Sequence, residues 1–478
     1  MTIMDQQKPF VCSQSTLVVG LGATGLSAAR YLTEKNCPVA LADTREDSQF
    51  QEQLGREFPH AEIVLGEFNY EQFKVYPQII VSPGVSVRSE LFKTLQENGH
   101  LIIGDIELFA QVTDKPVIAI TGSNGKSTVT TLVEKIANDC GIKTIAGGNL
   151  GIPALDLLKT GSELYILELS SFQLETTYSL KTLSAVVLNV SEDHMDRYQD
   201  MNDYRSVKQS IYAHTDWAVI NKDEAELVQF AKKNLSAEQC LYFGSDKPAD
   251  NEYGLQQTGS YYNLNKGEKI LLNSKMIHIK GIYNYLNILS AIALLEPLSL
   301  DKQKMAQAIN GYAGLLHRCE WVAEIDNVQY YNDSKGTNAG ASIAAINGLE
   351  TIADKPYEQR QLILIAGGTG KDADFSELGQ VIKEKVKALI LMGKDARLIY
   401  QSTVQAGMDN EWIYQVQAMQ DAVLQARQLA VAGDQVLLSP ACASFDMYEN
   451  YIARGNDFKE IVTGLSSRQS QGELRDVS

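Results

Sequence analysis

The run Val117-Ile118-Ala119-Ile120 passes without a break into Thr121-Gly122-Ser123-Asn124-Gly125-Lys126-Ser127-Thr128. Four apolar residues in a row read as a buried strand, and the small residues after it turn the chain into a helix expected over Val129–Ala137. Strand, glycine turn and helix in that order restrict this region to a layered α/β architecture. The same run predicts chemistry. Backbone N–H groups of successive small residues wrap a triphosphate, Lys126 supplies charge, and the Ser127 and Thr128 hydroxyls reach phosphates or their Mg²⁺. The usual opening glycine of a phosphate loop would fall at Ile120, so the motif is a variant. Its candidate ATP contacts are Gly122, Asn124, Gly125, Lys126, Ser127 and Thr128.

Two further units show the same alternation. Upstream, Leu17-Val18-Val19 leads into Gly20-Leu21-Gly22-Ala23-Thr24-Gly25, a helical stretch and a second strand ending at Asp43, while Ile79–Val81 ends at Ser82-Pro83-Gly84. The glycine turn can carry a phosphate at a helix N-terminus. On pattern alone it leaves a nicotinamide dinucleotide domain open, because a lone glycine fingerprint is weak. Downstream of Leu315, strands are expected at Gln361–Ile365, Ala388–Leu391 and Gln435–Leu438. The expected fold is therefore α/β with three domains, each built on a mainly parallel sheet. The N- and C-terminal domains are Rossmann-like and the central one binds ATP. The boundaries fall at 1–104, 105–314 and 315–467, with a frayed polar tail over 468–478.

Composition removes several classes. Lys and Arg number 42 against 59 Asp and Glu, a formal charge of −17, which argues against a general nucleic-acid surface. No apolar run reaches the roughly 18–20 residues that span a bilayer. The first fifteen residues carry no long apolar core, so no signal peptide is expected. The six cysteines are scattered, and reduced thiols in a cytoplasmic compartment are the simplest expectation; separately, a monomer is expected.

Polar groups collect where the central strands end. Glu168 follows Tyr165–Leu167 and is suited to Mg²⁺, although a solvated cap for Ser170-Ser171 is the competing reading. His194 lies between Asp193 and Asp196, and metal contact or hydrogen bonding alone both remain open. Tyr204, Arg205 and Lys208 share a helical face by spacing. Taken by itself, Lys208 reads as a surface lysine. Asn332–Asn338, Lys371 after Gly367-Gly368-Thr369-Gly370, and Ser439–Ser444 close the strands of the third unit. Cys442 lacks a local His base and reads as a small buried residue.

Taken together, the chain resembles the ATP-dependent Mur ligases of peptidoglycan precursor synthesis. The supporting runs are Gly20–Ser27, Asp43–Arg45, Ser82–Gly84, Thr121–Thr128, Gly147–Gly151 and Glu168–Glu175. They continue with Asn189–Tyr198, Leu316–Glu320, Asn332–Asn338, Gly367–Phe375 and Leu438–Asn456. The resemblance implies that the first glycine turn receives a UDP-linked acceptor, not a nicotinamide cofactor. Gly22, Ala23, Thr24, Asp43, Thr44, Ser82 and Gly84 match its contacts, and Asn149 matches a further acceptor contact. Asn284, Arg318 and Asp333 match nucleotide positions, and Lys335 lies beside the reacting phosphate. Ser127, Glu168 and His194 match Mg²⁺-linked positions, with Lys208 where relatives carry a CO₂-derived carbamate. Thr337, Lys371, Ser444, Phe445 and Tyr451 match an amino-acid pocket. Lys126, Glu168, His194, Lys208 and Lys335 are the implied catalytic set.

The Ser-Pro-Ala-Cys-Ala-Ser run, and the lack of an Asp-Asn-Pro-Arg run, favour the branch that adds D-glutamate to UDP-N-acetylmuramoyl-L-alanine. Tyr283, Thr369 and Phe445 depart from residues common in the family and can retune the pocket. The alternatives are a related ligase for another amino acid or for folate, a nicotinamide-dependent oxidoreductase, and a non-catalytic nucleotide-binding regulator.

Overall fold

Strands β1 (Thr16–Val19), β2 (Val39–Asp43), β3 (Glu62–Leu65), β4 (Gln78–Val81) and β5 (Leu101–Ile103) form a parallel sheet in the order β3-β2-β1-β4-β5. They belong to a computed structural model that describes residues 9–191, 197–259, 261–349, 356–370 and 374–472, the side chains as far as 465. Strands buried on both faces need apolar residues at every position, which is why they appear as continuous runs in the sequence. Leu17 and Val19 pack with Phe73 and Phe92 on one face, while Val18 and Leu41 pack with Ala28 and Leu32 on the other. Gly25 is demanded by close approach: a Cβ there would collide with the Gly20 carbonyl oxygen and the Ser82 Oγ. That closeness draws the helix Ala23–Glu34 against the end of β1.

The second sheet has nine strands. They are β6 (Val117–Thr121), β7 (Thr144–Gly148), β8 (Leu164–Glu168), β9 (Thr182–Val187), β10 (Thr215–Asn221), β11 (Cys240–Phe243), β12 (Tyr253–Thr258), β13 (Tyr261–Lys266) and β14 (Lys269–Asn273). Their order is β14-β13-β12-β11-β10-β9-β6-β8-β7. The β6 strand lies between β8 and β9, parallel to both, so the ends of all three open on the loop that follows β6. The turn-rich excursion expected over 244–280 is antiparallel where β12 pairs with β13 and extends this same sheet.

The third sheet runs β15-β16-β20-β17-β18-β19. Its strands are β15 (Glu320–Ile325), β16 (Val328–Asn332), β17 (Leu362–Ala366), β18 (Val386–Leu391), β19 (Ile413–Gln415) and β20 (Gln435–Leu438). All its pairings are parallel except β15 with β16. A final helix spans Tyr451–Gly472. Three mainly parallel α/β sheets are thus observed. The chain divides into two compact units, residues Met1–Leu272 with Leu286–Ile309, and Asn273–Tyr285 with Asn310–Ser478. The first unit holds the first sheet and nearly all of the second, joined by a core in which Ile103, Phe109 and Leu167 take part.

One local finding differs from sequence expectation. Cys12 and Cys37 are disulfide-bonded, with Cα atoms 4.9 Å apart, which corrects the expectation of six free thiols. Their separation of 25 residues gave no signal, because the fold and not a short motif brings them together. Asp105, at the start of the helix Asp105–Val112, is buried with Oδ1 unpartnered among the described residues. Burial pushes its carboxyl up to about 6, against the hydrogen bond from Gln173.

The sign of the pH effect follows from that shift. An unfolded Asp titrates near 3.8, so between that pH and about 6 the folded chain holds the extra proton and loses stability as pH rises. Asp105→Asn is expected to remove this decline and to stabilise the protein by roughly 2–3 kcal/mol above pH 7. Thermal melts from pH 5 to 8 measure it, and parallel curves for the two proteins would contradict it.

Candidate active site

In the first unit the phosphate-type loop leaves β6 and enters the helix Lys126–Asp139. Gly125, the residue before the helix, has φ +84°, and a Cβ there would meet Asn287 Oδ1 at 2.6 Å. Only glycine suits both constraints. Lys126 Nζ donates to the carbonyls of Gly122 and Ser123 at 2.8 and 2.9 Å, so its charge is held over the loop. Asn189, at the end of the neighbouring β9 region, accepts from the Asn124 N–H at 2.8 Å and donates to the Asn124 carbonyl at 3.1 Å. This two-sided clamp fixes the loop backbone. Ser127 and Thr128 lie half-buried in the first helical turn.

Glu168 pairs in register with Ile120 and is 2% exposed, which overturns the reading of a solvated cap. Its Oε1 accepts from Asn149 Nδ2 at 2.7 Å, and the Asn149 N–H donates to the Glu168 carbonyl. Its Oε2 is buried and has no hydrogen-bond partner among the described residues. An unpartnered buried carboxylate oxygen beside a phosphate-type loop fits a hard divalent cation.

Lys208, on the helix Met201–Gln209, is also 2% exposed and not the surface lysine its local sequence suggests. Its Nζ donates to the Gly122 carbonyl at 3.0 Å and lies 4.7 Å from the centre of the Tyr204 ring. Lys126 and Lys208 therefore meet at one loop carbonyl. Tyr204 and Lys208 point inward, whereas Arg205 turns to Asn202 and Glu226. His194 lies outside the described residues.

At the first sheet, Asp43 Oδ2 accepts from the Leu21 N–H at 2.6 Å, and Arg45 takes Oδ1. Burial raises the Asp43 carboxyl, but the hydrogen bonds from Arg45 and the Leu21 N–H outweigh it and bring it down to about 2. Asp43 thus shapes the glycine turn. Ser82 Oγ donates to the Gly20 carbonyl at 2.5 Å, tying the second loop to the first. Gly22, Ala23, Thr44 and Gly84 are exposed around this turn, Thr24 is half-buried, and the Cβ positions of Gly22 and Gly84 face open space.

The second unit has its own polar centre. Asp333 is buried, accepting from Ser439 Oγ at 2.7 Å and from the Cys319 N–H at 3.1 Å. Burial pushes its carboxyl up to about 6 despite the Ser439 hydrogen bond. Arg318, beside Cys319, is exposed, as is Lys335, whose Nζ lies 5.5 Å from the centre of the Tyr451 ring. The Lys335 N–H donates to the His317 carbonyl. Thr369 and Ala443 exchange backbone hydrogen bonds, which couples the loop preceding Lys371 to the Ser439–Ser444 loop. Ser444 is buried, Phe445 is 70% exposed and Thr337 is half-buried. Asn284 Nδ2 donates to the Lys280 carbonyl at the start of its own helix. Lys371 lies outside the described residues.

Three family models match in sequence along the chain. They are described as Mur ligase MurD-like, N-terminal domain (residues 14–104), Mur ligase middle domain (120–295), and Mur ligase, glutamate ligase domain (317–442). A protein of Nitrosococcus oceani named UDP-N-acetylmuramoylalanine--D-glutamate ligase is 44% identical over 454 residues, covering 95% of this chain and 97% of that protein. The chain belongs to the Mur ligase family. A Methylobacillus flagellatus protein of the same name is 42% identical, with 95% of this chain and 98% of that protein covered. The Mur ligase fold is echoed at lower identity in solved structures. UDP-N-acetylmuramate-alanine ligase of Thermotoga maritima is 18% identical with a TM-score of 0.52, covering 94% and 99% of the two chains. A UDP-N-acetylmuramoyl-L-alanyl-D-glutamate--2,6-diaminopimelate ligase gives 0.55 at 18% identity, covering 89% and 86%.

Sequence reasoning missed one residue at the centre of this Mur ligase's second unit. Arg454 is buried, donating to Ser334 Oγ at 3.0 Å, the Ser334 carbonyl at 2.9 Å and the Cys442 carbonyl at 3.1 Å. It binds the Asp333–Lys335 loop to the Ser439–Ser444 loop. The only local signal was an arginine one helical turn after Tyr451.

Proposed function

We propose that this Mur ligase joins D-glutamate to UDP-N-acetylmuramoyl-L-alanine at the expense of ATP, in the cytoplasm, as a step of peptidoglycan precursor synthesis. The observation that carries this reading is the 44% identity, over 97% of its length, to a relative named for that ligation. Residues 1–104 receive the UDP portion through Gly22, Ala23, Thr24, Asp43, Thr44, Ser82 and Gly84. Residues 105–314 bind ATP through Gly122, Asn124, Gly125, Lys126, Ser127 and Thr128, and Asn149 contacts the acceptor. Residues 315–467 complete the nucleotide contacts with Arg318 and Asp333, as does Asn284, and hold D-glutamate through Thr337, Lys371, Ser444, Phe445 and Tyr451.

The mechanism implied by the family resemblance makes chemical sense of these residue types. A carboxylate is a poor electrophile, so the terminal L-alanyl carboxylate attacks the γ-phosphorus of ATP, giving an acyl phosphate and ADP. The free amine of D-glutamate then attacks the acyl carbon and phosphate leaves. Lys126 and Lys335 compensate charge on the transferring group, and the polypeptide otherwise contributes placement. Ser127, Glu168, His194 and Lys208, the last as a carbamate, would hold Mg²⁺, which screens phosphate charge when bound. The unpartnered Glu168 Oε2 supports that set.

ADP formation by purified protein, with each co-substrate omitted in turn, tests the reaction. D-Glutamate is expected to be used, and L-glutamate and D-alanine to be rejected by at least ~100-fold. A closed pocket that pairs two carboxylates in one chiral arrangement leaves a carboxylate of L-glutamate unpaired, and with D-alanine leaves its own carboxylate-binding groups unpaired. Amide product formed from L-glutamate with comparable efficiency would overturn the assignment of the amino acid.

A further inference from the structure

An ionic network links the two sheets of the first unit, buried at Arg197 and Glu175 and partly exposed at Arg88 and Asp203. Arg197 is at its centre. Its Nη1 donates to the Pro83 carbonyl at 3.0 Å and its Nη2 approaches the Val85 carbonyl at 3.5 Å. The same guanidinium meets Glu175 Oε2 at 2.5 Å and lies 4.1 Å from the centre of the Phe172 ring. The side chains of Arg197 and Glu175 are 9% and 4% exposed. Glu175 Oε1 accepts from Arg88 Nε at 2.5 Å, and Arg88 bridges onward to Asp203.

The connections are informative because of what each element carries. Pro83 and Val85 flank Gly84 in a turn closed by the Val85 N–H to the Ser82 carbonyl, and the Cβ position of Gly84 faces open space. Glu175 ends the short helix Ser171–Leu174 that follows Glu168. Asp203 shares the helix Met201–Gln209 with Lys208. One cluster of two arginines and two carboxylates therefore binds the turn at the end of β4 to the short helix that follows Glu168 and to the helix that bears Lys208.

A purely stabilising role explains this poorly. Exposed ion pairs contribute little, and buried ones cost desolvation that a hydrophobic pair avoids. Their advantage is direction: a planar guanidinium with several donors holds two carbonyls and a carboxylate in a fixed relation. Backbone carbonyls held from one side leave the Gly84 Cβ position facing open space on a turn whose place is fixed.

We infer that Arg197 is a positioning residue for the nucleotide-linked acceptor, fixing the Ser82–Val85 turn relative to Glu168 and Lys208 through Glu175. This rests on the proposal that the turn meets the acceptor. Arg197 touches no reacting atom. It acts on where the acceptor lies, and so on the alignment of its carboxylate with the γ-phosphate.

The test uses the full chain with Arg197→Lys, Arg197→Ala, Glu175→Gln and the double variant Arg197→Ala/Glu175→Gln. Steady-state rates are measured against ATP, D-glutamate and UDP-N-acetylmuramoyl-L-alanine separately, with calorimetric binding of the acceptor alone. Misplacement by about 1 Å can cost up to ~100-fold, so the acceptor KM is expected to rise at least ~10-fold in Arg197→Ala. The KM values for ATP and D-glutamate should stay near those of the unaltered protein. Arg197→Lys keeps charge but loses the fork, and should show most of the defect. The defect of the double variant should be smaller than the product of the two single defects, because Arg197 and Glu175 are coupled.

An unchanged acceptor KM in both Arg197 variants overturns the inference, as does an equal rise in all three KM values with a fall in Tm, which marks a structural role. Gly84→Val separates this inference from the reading beneath it. If Gly84→Val leaves acceptor binding intact, the turn is not the acceptor site and both fail. If it weakens acceptor binding while the Arg197 variants do not, the site stands and only the positioning role is lost.

Discussion

Replacing Lys126 by alanine is expected to reduce ligation to a trace while leaving the protein folded. In the structure the Lys126 ammonium is held by the carbonyls of Gly122 and Ser123, at the mouth of the loop and half-exposed. The core beneath the loop is built by Val129, Leu132, Val133 and Ile136 on the same helix, so truncating Lys126 removes charge without opening a cavity. Alanine is also a better helix former than lysine at that position. The loss falls on phosphoryl transfer, where negative charge accumulates on oxygens that this ammonium reaches. Groups of this kind contribute about 3–4 kcal/mol in the transition state, a loss of some hundreds-fold or more in rate. ADP release in the presence of both co-substrates, together with an unchanged melting temperature, checks it. A folded Lys126→Ala protein with near-normal kcat/KM would remove the phosphate-loop assignment.

The loop was readable because its chemistry is local: a buried strand, small residues and Gly-Lys-Ser-Thr within twelve positions. The same holds for most buried parallel strands, whose apolar continuity is visible without knowing their neighbours. Long-range relations were not readable. Nothing near Lys208 announces that its amine meets the carbonyl of Gly122, 86 residues earlier. Glu168 could be a cap or a ligand until the register with Ile120 buried it. On pattern alone Asp43 shows in the sequence only as the end of a strand, and the fold is what brings its carboxylate to the Leu21 N–H and Arg45. Arg454 and Arg197 are single arginines in ordinary sequence, and only tertiary contact shows each gathering two loops. The insertion of β6 between β8 and β9 is likewise a matter of crossover connections, which periodicity does not encode.

Lys208→Ala is the second large effect, and its pattern separates two chemistries for the same side chain. As an ammonium, Lys208 would bring a second cation to the Gly122 carbonyl that Lys126 already meets. As a carbamate it brings anionic oxygen, the ligand type that Mg²⁺ prefers. The modification balances simply: the uncharged amine forms an N–C bond with CO₂ and releases one proton. Burial at 2% exposure shields the adduct from water, and the neighbouring Tyr204 ring fixes the direction of the chain. Alanine at this position is expected to lower kcat by at least ~100-fold, with the acceptor KM much less affected, because the loss falls on charge in the transferring group. A short carboxylic acid added to the variant should restore part of that rate by filling the vacated space with carboxylate oxygen, whereas a short alkylamine should not. Carbon-13 NMR of the unaltered enzyme in labelled bicarbonate should show a carbamate resonance that is absent from Lys208→Ala. Rescue by the amine and not the acid, or full activity with no carbamate signal, would establish Lys208 as a cation and overturn the carbamate.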